Sequence, residues 1–144
     1  MNVALIYFSQ TGQTAAAMDR LADVLIQQGH NVSRQQAGTP SEATAVENAD
    51  RIVLATPVHA FALPPEMSGL VGRLAPYRRD TPAFLLVRQG LWSPRLGGNR
   101  CAGQLRRLAE SLGLRVQAVT VIGNNRHKDD RLAAFIDGVA EACR

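Results

Sequence analysis

The chain has 144 residues, of which 46% are hydrophobic and 19% are charged, which excludes a disordered chain or a coiled coil and fits one globular domain over residues 1–144. Its two cysteines are too few for a disulfide framework or an all-cysteine zinc site, so we expect a cytoplasmic protein. Its apolar runs are far shorter than the ~20 residues that span a bilayer, and we expect neither a membrane segment nor a signal peptide. The net charge is +4, but three basic and six acidic residues fall in residues 1–72, whereas thirteen basic and six acidic residues fall in residues 73–144.

Strand-like and helix-like segments alternate along the whole chain. In order, the predicted elements are strand Val3–Phe8, helix 13–28, strand Asn31–Gln36, helix Glu42–Asn48, strand Arg51–Ala55, helix Glu66–Leu74, strand Ala83–Arg88, helix Asn99–Leu112, strand Leu114–Ile122 and helix His127–Cys143. This alternation predicts an α/β fold, a three-layer sandwich with helices on both faces of a five-stranded parallel sheet. Ligands of such sheets bind beyond the carboxyl ends of the strands, so the loops after the strands are the candidate sites.

The loop after the first predicted strand, called the first loop here, combines three hydroxyl groups with a glycine and leads directly into a helix. It consists of Ser9, Gln10, Thr11, Gly12, Gln13 and Thr14. A helix N-terminus favours an anion, hydroxyl groups donate to phosphate oxygens, and glycine lets the main chain approach a ligand closely. Because the loop has no Lys or Arg, we expect one terminal phosphate held by dipoles and hydrogen bonds alone. The alternative is a plain N-cap, although a cap needs only one hydroxyl.

Other phosphate motifs are absent, since the chain has neither a G-x-x-x-x-G-K-[ST] pattern nor a G-x-G-x-x-G pattern after the first strand. From Leu5 to Thr14 the sequence resembles the signature of flavodoxins, in which an apolar strand is followed by Ser/Thr-x-Thr-Gly-x-Thr and a helix. Ala49-Asp50 before the next apolar strand and Thr56-Pro57 at its end are similar to the region of the family's second flavin-contacting loop. Leu63–Met67 matches the helix start that follows.

The resemblance covers essentially the whole chain and is to short-chain flavodoxins, including flavodoxin domains that are fused to ferredoxin-type modules. It implies the sheet order 2-1-3-4-5, FMN as the cofactor and electron transfer as the function. The flavin rather than a side chain performs the redox step in such proteins, so we expect no catalytic residue and no metal ligand. It also implies that the first loop holds the phosphate of FMN.

The flavin ring is then expected between two later loops. The second loop supplies Thr56, Pro57, Val58, His59 and Phe61, and the third loop, Gln89–Asn99, supplies Gln89, Gly90, Leu91 and Trp92. Flavodoxins usually stack an aromatic side chain from each loop on the ring, and here the candidates are His59, Phe61 and Trp92. Each has an alternative: His59 faces water, Phe61 packs into the next helix, or Trp92 packs on Pro94.

Flavodoxins are commonly acidic, whereas this chain is basic. Arg88, Arg95 and Arg100 flank the third loop, so we expect a less negative flavin potential and an acidic redox partner protein whose association weakens with salt; nucleic acid is not expected as a partner. One alternative is an NAD(P)H-dependent FMN or quinone reductase, in which these arginines hold a nucleotide phosphate, although no acid–base pair or NAD(P) motif is present. The other is a binding or regulatory relative that has lost the flavin.

Overall fold

The computed structural model describes residues 1–39, 46–92 and 95–144, and strands and helices alternate throughout. In chain order the elements are β1 (Asn2–Tyr7), α1 (Gln13–Gln27), β2 (Asn31–Gln36), β3 (Arg51–Pro57), α2 (Pro65–Arg73), β4 (Pro82–Arg88), α3 (Gly98–Ser111), β5 (Arg115–Ile122) and α4 (Lys128–Ala142). Each of these was predicted to within two residues or so. The helix predicted over Glu42–Asn48 lies mostly outside the described residues, and residues 46–48 are not helical.

The five strands form one parallel sheet in the order β2-β1-β3-β4-β5, which confirms the predicted α/β sandwich and its strand order. The central strands β3 and β4 are buried on both faces because each is a continuous apolar run. At the β5 edge the register shifts between Ala83 and Phe84, so Val116 and Ala118 face successive residues of β4. This irregularity is a β-bulge, which increases the local twist.

Helices cover both faces of the sheet and give two separate cores. On one face α2 and α3 pack against residues such as Ile52 and Leu54 of β3. On the other face α1 and α4 pack against the alternate residues Val53 and Ala55. The one-residue alternation along each strand therefore decides which helices a side chain meets.

Within the described ranges, no helix has the length and apolar character needed to cross a membrane. All five strands run in the same direction, so the loops that follow β1, β3, β4 and β5 lie together at the carboxyl edge of the sheet. The three candidate loops of the sequence are therefore neighbours in space.

Candidate functional site

The first loop ends at the N-terminus of α1, where the N-cap residue itself contributes no side-chain hydrogen bond. The N-cap residue is Gly12, whose φ of 86° lies in the left-handed region that glycine tolerates without steric cost. The Ser9 hydroxyl accepts hydrogen bonds from the amides of Gly12 at 3.1 Å and Ala15 at 3.2 Å. Among the described residues, the N–H groups of Gln13 and Thr14 have no protein acceptor. The first turn of α1 thus keeps free donors for an anion.

Space for such an anion exists beside Gly12. A Cβ atom built on Gly12 would have no described atom within 4 Å. The Thr14 side chain is buried in the first turn, whereas Ser9 is half-buried and Thr11 is exposed. The loop therefore offers hydroxyl and amide donors beside an open surface, and Ser9 already organises two of the amides.

A cation that sequence reasoning did not assign to this loop lies beside it. Arg88, the last residue of β4, extends its side chain to α1, where Nη1 donates to the main-chain oxygen of Gln13 at 3.3 Å. Burial lowers the pKa of the Arg88 guanidinium, while the Asp129 carboxylate on α4 opposes this change. The sequence grouped Arg88 with the third loop, but alternation along β4 turns its side chain toward α1 and α4. Phe84 and Leu86 face α1 and α4, and Arg88 is the next residue of β4 on that same face. The alternation along the strand could therefore have predicted its direction.

A cleft of about 180 Å³ lies between the second and third loops. Its lining residues are Val58, Ala60, Phe61, Gln89, Gly90, Leu91 and Leu96. Five of these were predicted as ring contacts, whereas Ala60 and Leu96 were not. The fold thus places residues of the second loop and residues of the third loop on opposite sides of one cleft.

The second loop forms a tight turn in which His59 and Ala62 exchange both main-chain hydrogen bonds, at 3.0 and 2.9 Å. Ala60 and Phe61 at its tip have positive φ values of 48° and 62°, a conformation that costs free energy for residues other than glycine. The turn holds the Phe61 ring outward, with 56% of the residue exposed. The alternative for Phe61, packing into the helix that follows, is therefore not observed.

Three predicted residues of the second loop do not line the cleft. Thr56 and Pro57 are the last residues of β3 rather than loop residues, and Thr56 is fully buried with its hydroxyl donating to the Pro57 oxygen at 2.9 Å. His59 is exposed, and its Nδ1 lies 3.2 Å from Nε2 of Gln10. His59 therefore links the second loop to the first.

The third loop is anchored by the residues that follow β5. The amide of Asn124 donates to the Leu91 oxygen at 2.8 Å, and Nδ2 of Asn125 donates to the Trp92 oxygen at 2.9 Å. Gln89 is buried and its Nε2 donates to the same Leu91 oxygen at 3.1 Å. These bonds hold the main chain of the loop while the Trp92 side chain stays 68% exposed. Pro94, the alternative packing partner of Trp92, lies outside the described residues.

Gly97, at the start of α3, lets the second and third loops meet. It has a φ of 108°, and a Cβ atom there would lie 2.7 Å from Cα of Phe61, so a larger residue would force the two loops apart. The next residue, Gly98, leaves room for the Gln89 side chain within the third loop, because a Cβ atom there would lie 2.4 Å from its Oε1. This role was not predicted, although the sequence shows a Gly-Gly pair just before a predicted helix.

The whole chain resembles proteins of one fold family. A family model described as a flavodoxin domain matches residues 4–123. No curated protein sequence matches the chain. A flavodoxin from Streptococcus pneumoniae TIGR4 is 21% identical, with a TM-score of 0.75 and 99% of each chain covered. A cysteine-substituted mutant of flavodoxin from Pseudomonas aeruginosa is 16% identical, with a TM-score of 0.78 and coverage of 99% of this chain and 98% of that one.

A larger protein contains the same fold as one part. The flavodiiron protein from Giardia intestinalis is 17% identical over 97% of this chain and 34% of its own, with a TM-score of 0.77.

Proposed function

The chain belongs to the flavodoxin family, and on that premise we propose that it binds FMN and serves as an electron-transfer protein. The observation that carries the proposal is the position of two features at one edge of the sheet: a helix N-terminus whose first two amides are free to donate, and an apolar cleft between the second and third loops. A flavin mononucleotide needs both, because it joins a phosphate to a large planar ring.

The donor set of the first loop fits a phosphate ester. The amides of Gln13 and Thr14 are free to donate, and the Ser9 hydroxyl, which accepts two amide bonds, keeps its own hydrogen for a ligand. Hydroxyls of Thr11 and Thr14 complete the predicted donors. Hydrogen bonds to a charged acceptor contribute about 1.5–3 kcal/mol each, so a few of them suffice for tight binding.

The cleft fits an apolar ring. Phe61 and Leu91 line the cleft, whereas Trp92 follows Leu91 in the third loop and does not line it; all three are large, exposed apolar residues. Exposed apolar groups gathered at one place commonly mark a ligand or partner site. When bound, FMN supplies the one-electron chemistry, and the protein orients the ring, shields its faces from water and sets the nearby charge.

We further propose an acidic protein as the redox partner. Arg95 and Arg100 are exposed near the third loop, and Arg126 and Lys128 follow β5 at the same edge. A positive charge at about 8 Å, with an effective dielectric constant of ~40, stabilises an added electron by about 1 kcal/mol, on the order of 40 mV. The proposal predicts a flavin potential less negative than in acidic relatives and association rates that fall with ionic strength.

The test is a titration of the flavin-free protein with FMN, followed by the quenching of flavin fluorescence. We expect saturation at one FMN per chain. Gly12→Val and Thr14→Val should each weaken binding tenfold or more. Gly29→Val is the matched control for backbone strain, because Gly29 has a φ of 89° at the other end of α1 with no described atom within 4 Å of its Cβ position. Thr120→Val on β5 is the control for loss of a hydroxyl.

Two results would contradict the proposal. A protein that does not quench added FMN is a relative that has lost the flavin. A protein that oxidises NADPH steadily without an added reductase is an enzyme rather than a carrier.

A further inference from the structure

The partly buried cation beside the first loop extends the proposed function, on which this inference depends. Arg88 belongs to β4, yet its guanidinium reaches the first turn of α1 and donates to the Gln13 oxygen at 3.3 Å. That bond is the only one that the described residues give this side chain, and Arg88 forms none of the described ion pairs. Because no described carboxylate pairs with it, the positive charge of Arg88 is available to interact with a bound anion.

The acceptor of this bond is informative. The Gln13 carbonyl and the Thr14 amide belong to one peptide group, and the Thr14 N–H is one of the free donors at the N-terminus of α1. A cation on the oxygen polarises the peptide and strengthens its N–H as a donor, since linked hydrogen bonds reinforce one another in a low dielectric. Adding the 3.3 Å bond to ordinary peptide and hydrogen-bond lengths places the guanidinium within about 8 Å of an anion on that N–H.

This separation is short enough for a direct electrostatic effect as well. It is comparable with the screening length of about 8 Å at physiological salt, and Arg88 is half-buried, so screening is incomplete. The loop itself contributes no charged residue, because residues 9–14 include neither Lys nor Arg. Arg88 is therefore in a position to supply the formal charge that the loop lacks.

Burial lowers the pKa of Arg88, and Arg20 on α1 lowers it further, while Asp129 raises it. The Asp129 carboxylate is not within ion-pair distance in the described part of the chain. The fold thus accepts a half-buried cation at this position, and no described carboxylate forms an ion pair with it. Groups with shifted pKa values are common at functional sites.

We propose that Arg88 is the positioning cation of the first loop, that it acts on the 5′-phosphate of FMN through the Gln13–Thr14 peptide, and that it makes the site prefer FMN over riboflavin. Riboflavin has the same ring and no phosphate, so the effect of Arg88 appears in the ratio of the two affinities.

The experiment compares the dissociation constants of FMN and riboflavin for the flavin-free wild type, Arg88→Gln and Arg88→Lys. We expect Arg88→Gln to weaken FMN about tenfold, or about 1.4 kcal/mol, and riboflavin less than twofold. Arg88→Lys, which keeps the charge, should recover most of the FMN affinity. Arg107→Gln, at an exposed position of α3, is the control for removal of one positive charge and should leave both constants unchanged. Equal losses for both ligands, or no loss, would overturn the inference.

A second measurement separates this inference from the proposed function. The thermal midpoint of the flavin-free protein is compared in inorganic phosphate and in chloride at equal ionic strength. Phosphate should stabilise the wild type more than Arg88→Gln. If the wild type binds neither flavin, the proposed function fails, yet a phosphate effect that depends on Arg88 still supports the anion role. A phosphate effect that is equal in both proteins would refute it.

Discussion

Replacing Gly123 by alanine tests whether the loop after β5 positions the wall of the cleft. A Cβ atom at this buried position would lie 2.5 Å from the Trp92 oxygen and 3.0 Å from its carbonyl carbon. Both are main-chain atoms, so no side-chain rotation relieves the contact. The two segments must separate by at least about 0.5 Å, and the hydrogen bond from Asn125 to the same oxygen would be strained or lost.

The magnitude follows from these contacts. Overpacking a close-packed position costs about 1–3 kcal/mol, and a weakened hydrogen bond adds about 0.5–1.5 kcal/mol. We expect Gly123→Ala to lower the free energy of unfolding by about 2–3 kcal/mol and, by displacing the Trp92 side of the third loop, to weaken FMN binding several-fold. Urea unfolding measures the first effect, and fluorescence titration of the folded variant measures the second.

Gly138→Ala is the matched control. Gly138 lies within α4, and a Cβ atom there would have no described atom within 4 Å. Alanine favours a helix over glycine by about 0.5–1 kcal/mol, so this variant should be slightly more stable and should bind FMN normally. If Gly123→Ala retained wild-type stability and wild-type affinity, the close approach to Trp92 would not be what positions the loop.

Three further predictions concern groups outside the cleft. Tyr77→Phe should lower the free energy of unfolding, measured in urea, by about 1–2 kcal/mol. The buried Tyr77 hydroxyl donates to the main-chain oxygen of Val71 in α2 at 2.5 Å, and that oxygen would lose its partner. An unchanged urea midpoint would contradict this. Burial raises the pKa of the Cys101 thiol to about 12, so iodoacetamide at pH 8 should alkylate Cys101 only in denaturant, and rapid labelling of the native protein would refute the assignment. A hydrogen bond from the Asn2 amide, and then Arg78, lower the pKa of Asp50 in the folded state. The contribution of Asp50 to stability is therefore present above about pH 4 and is lost as the pH falls through the folded-state pKa. Asp50→Asn should reduce the change of the urea midpoint between about pH 5 and 3.

The strands and the first loop could be predicted because each depends on a pattern of neighbouring residues in the sequence. The order of the strands could be predicted from the resemblance to flavodoxins. The buried run Arg51–Ala55 identifies a central strand by itself, and the hydroxyls and glycine of residues 9–14 lie within six consecutive positions. The burial of Thr56 could not be read in the same way, because the strand continues two residues beyond the last apolar position and turns that side chain into the core.

The contacts between loops were not predictable because they join residues that are distant in the chain. The position of Arg88 beside Gln13 depends on strand parity and on which helices cover which face, and 75 residues separate the two. The close approach of Gly97 to Phe61 depends likewise on where two loops end in space. The hydrophobic pattern gives the layers, whereas these contacts depend on the packed arrangement of the layers.

The order of the strands also turns an uneven distribution along the chain into an uneven distribution in space. Residues 1–72, with an acidic excess, supply β2, β1 and β3, and residues 73–144, with a basic excess, supply β4 and β5 on the other side of the sheet. The molecule consequently carries a permanent dipole moment directed across its strands. In the electric field of another macromolecule the protein experiences a torque as well as a net force. It therefore rotates before contact, and the β5 edge turns toward negatively charged surfaces.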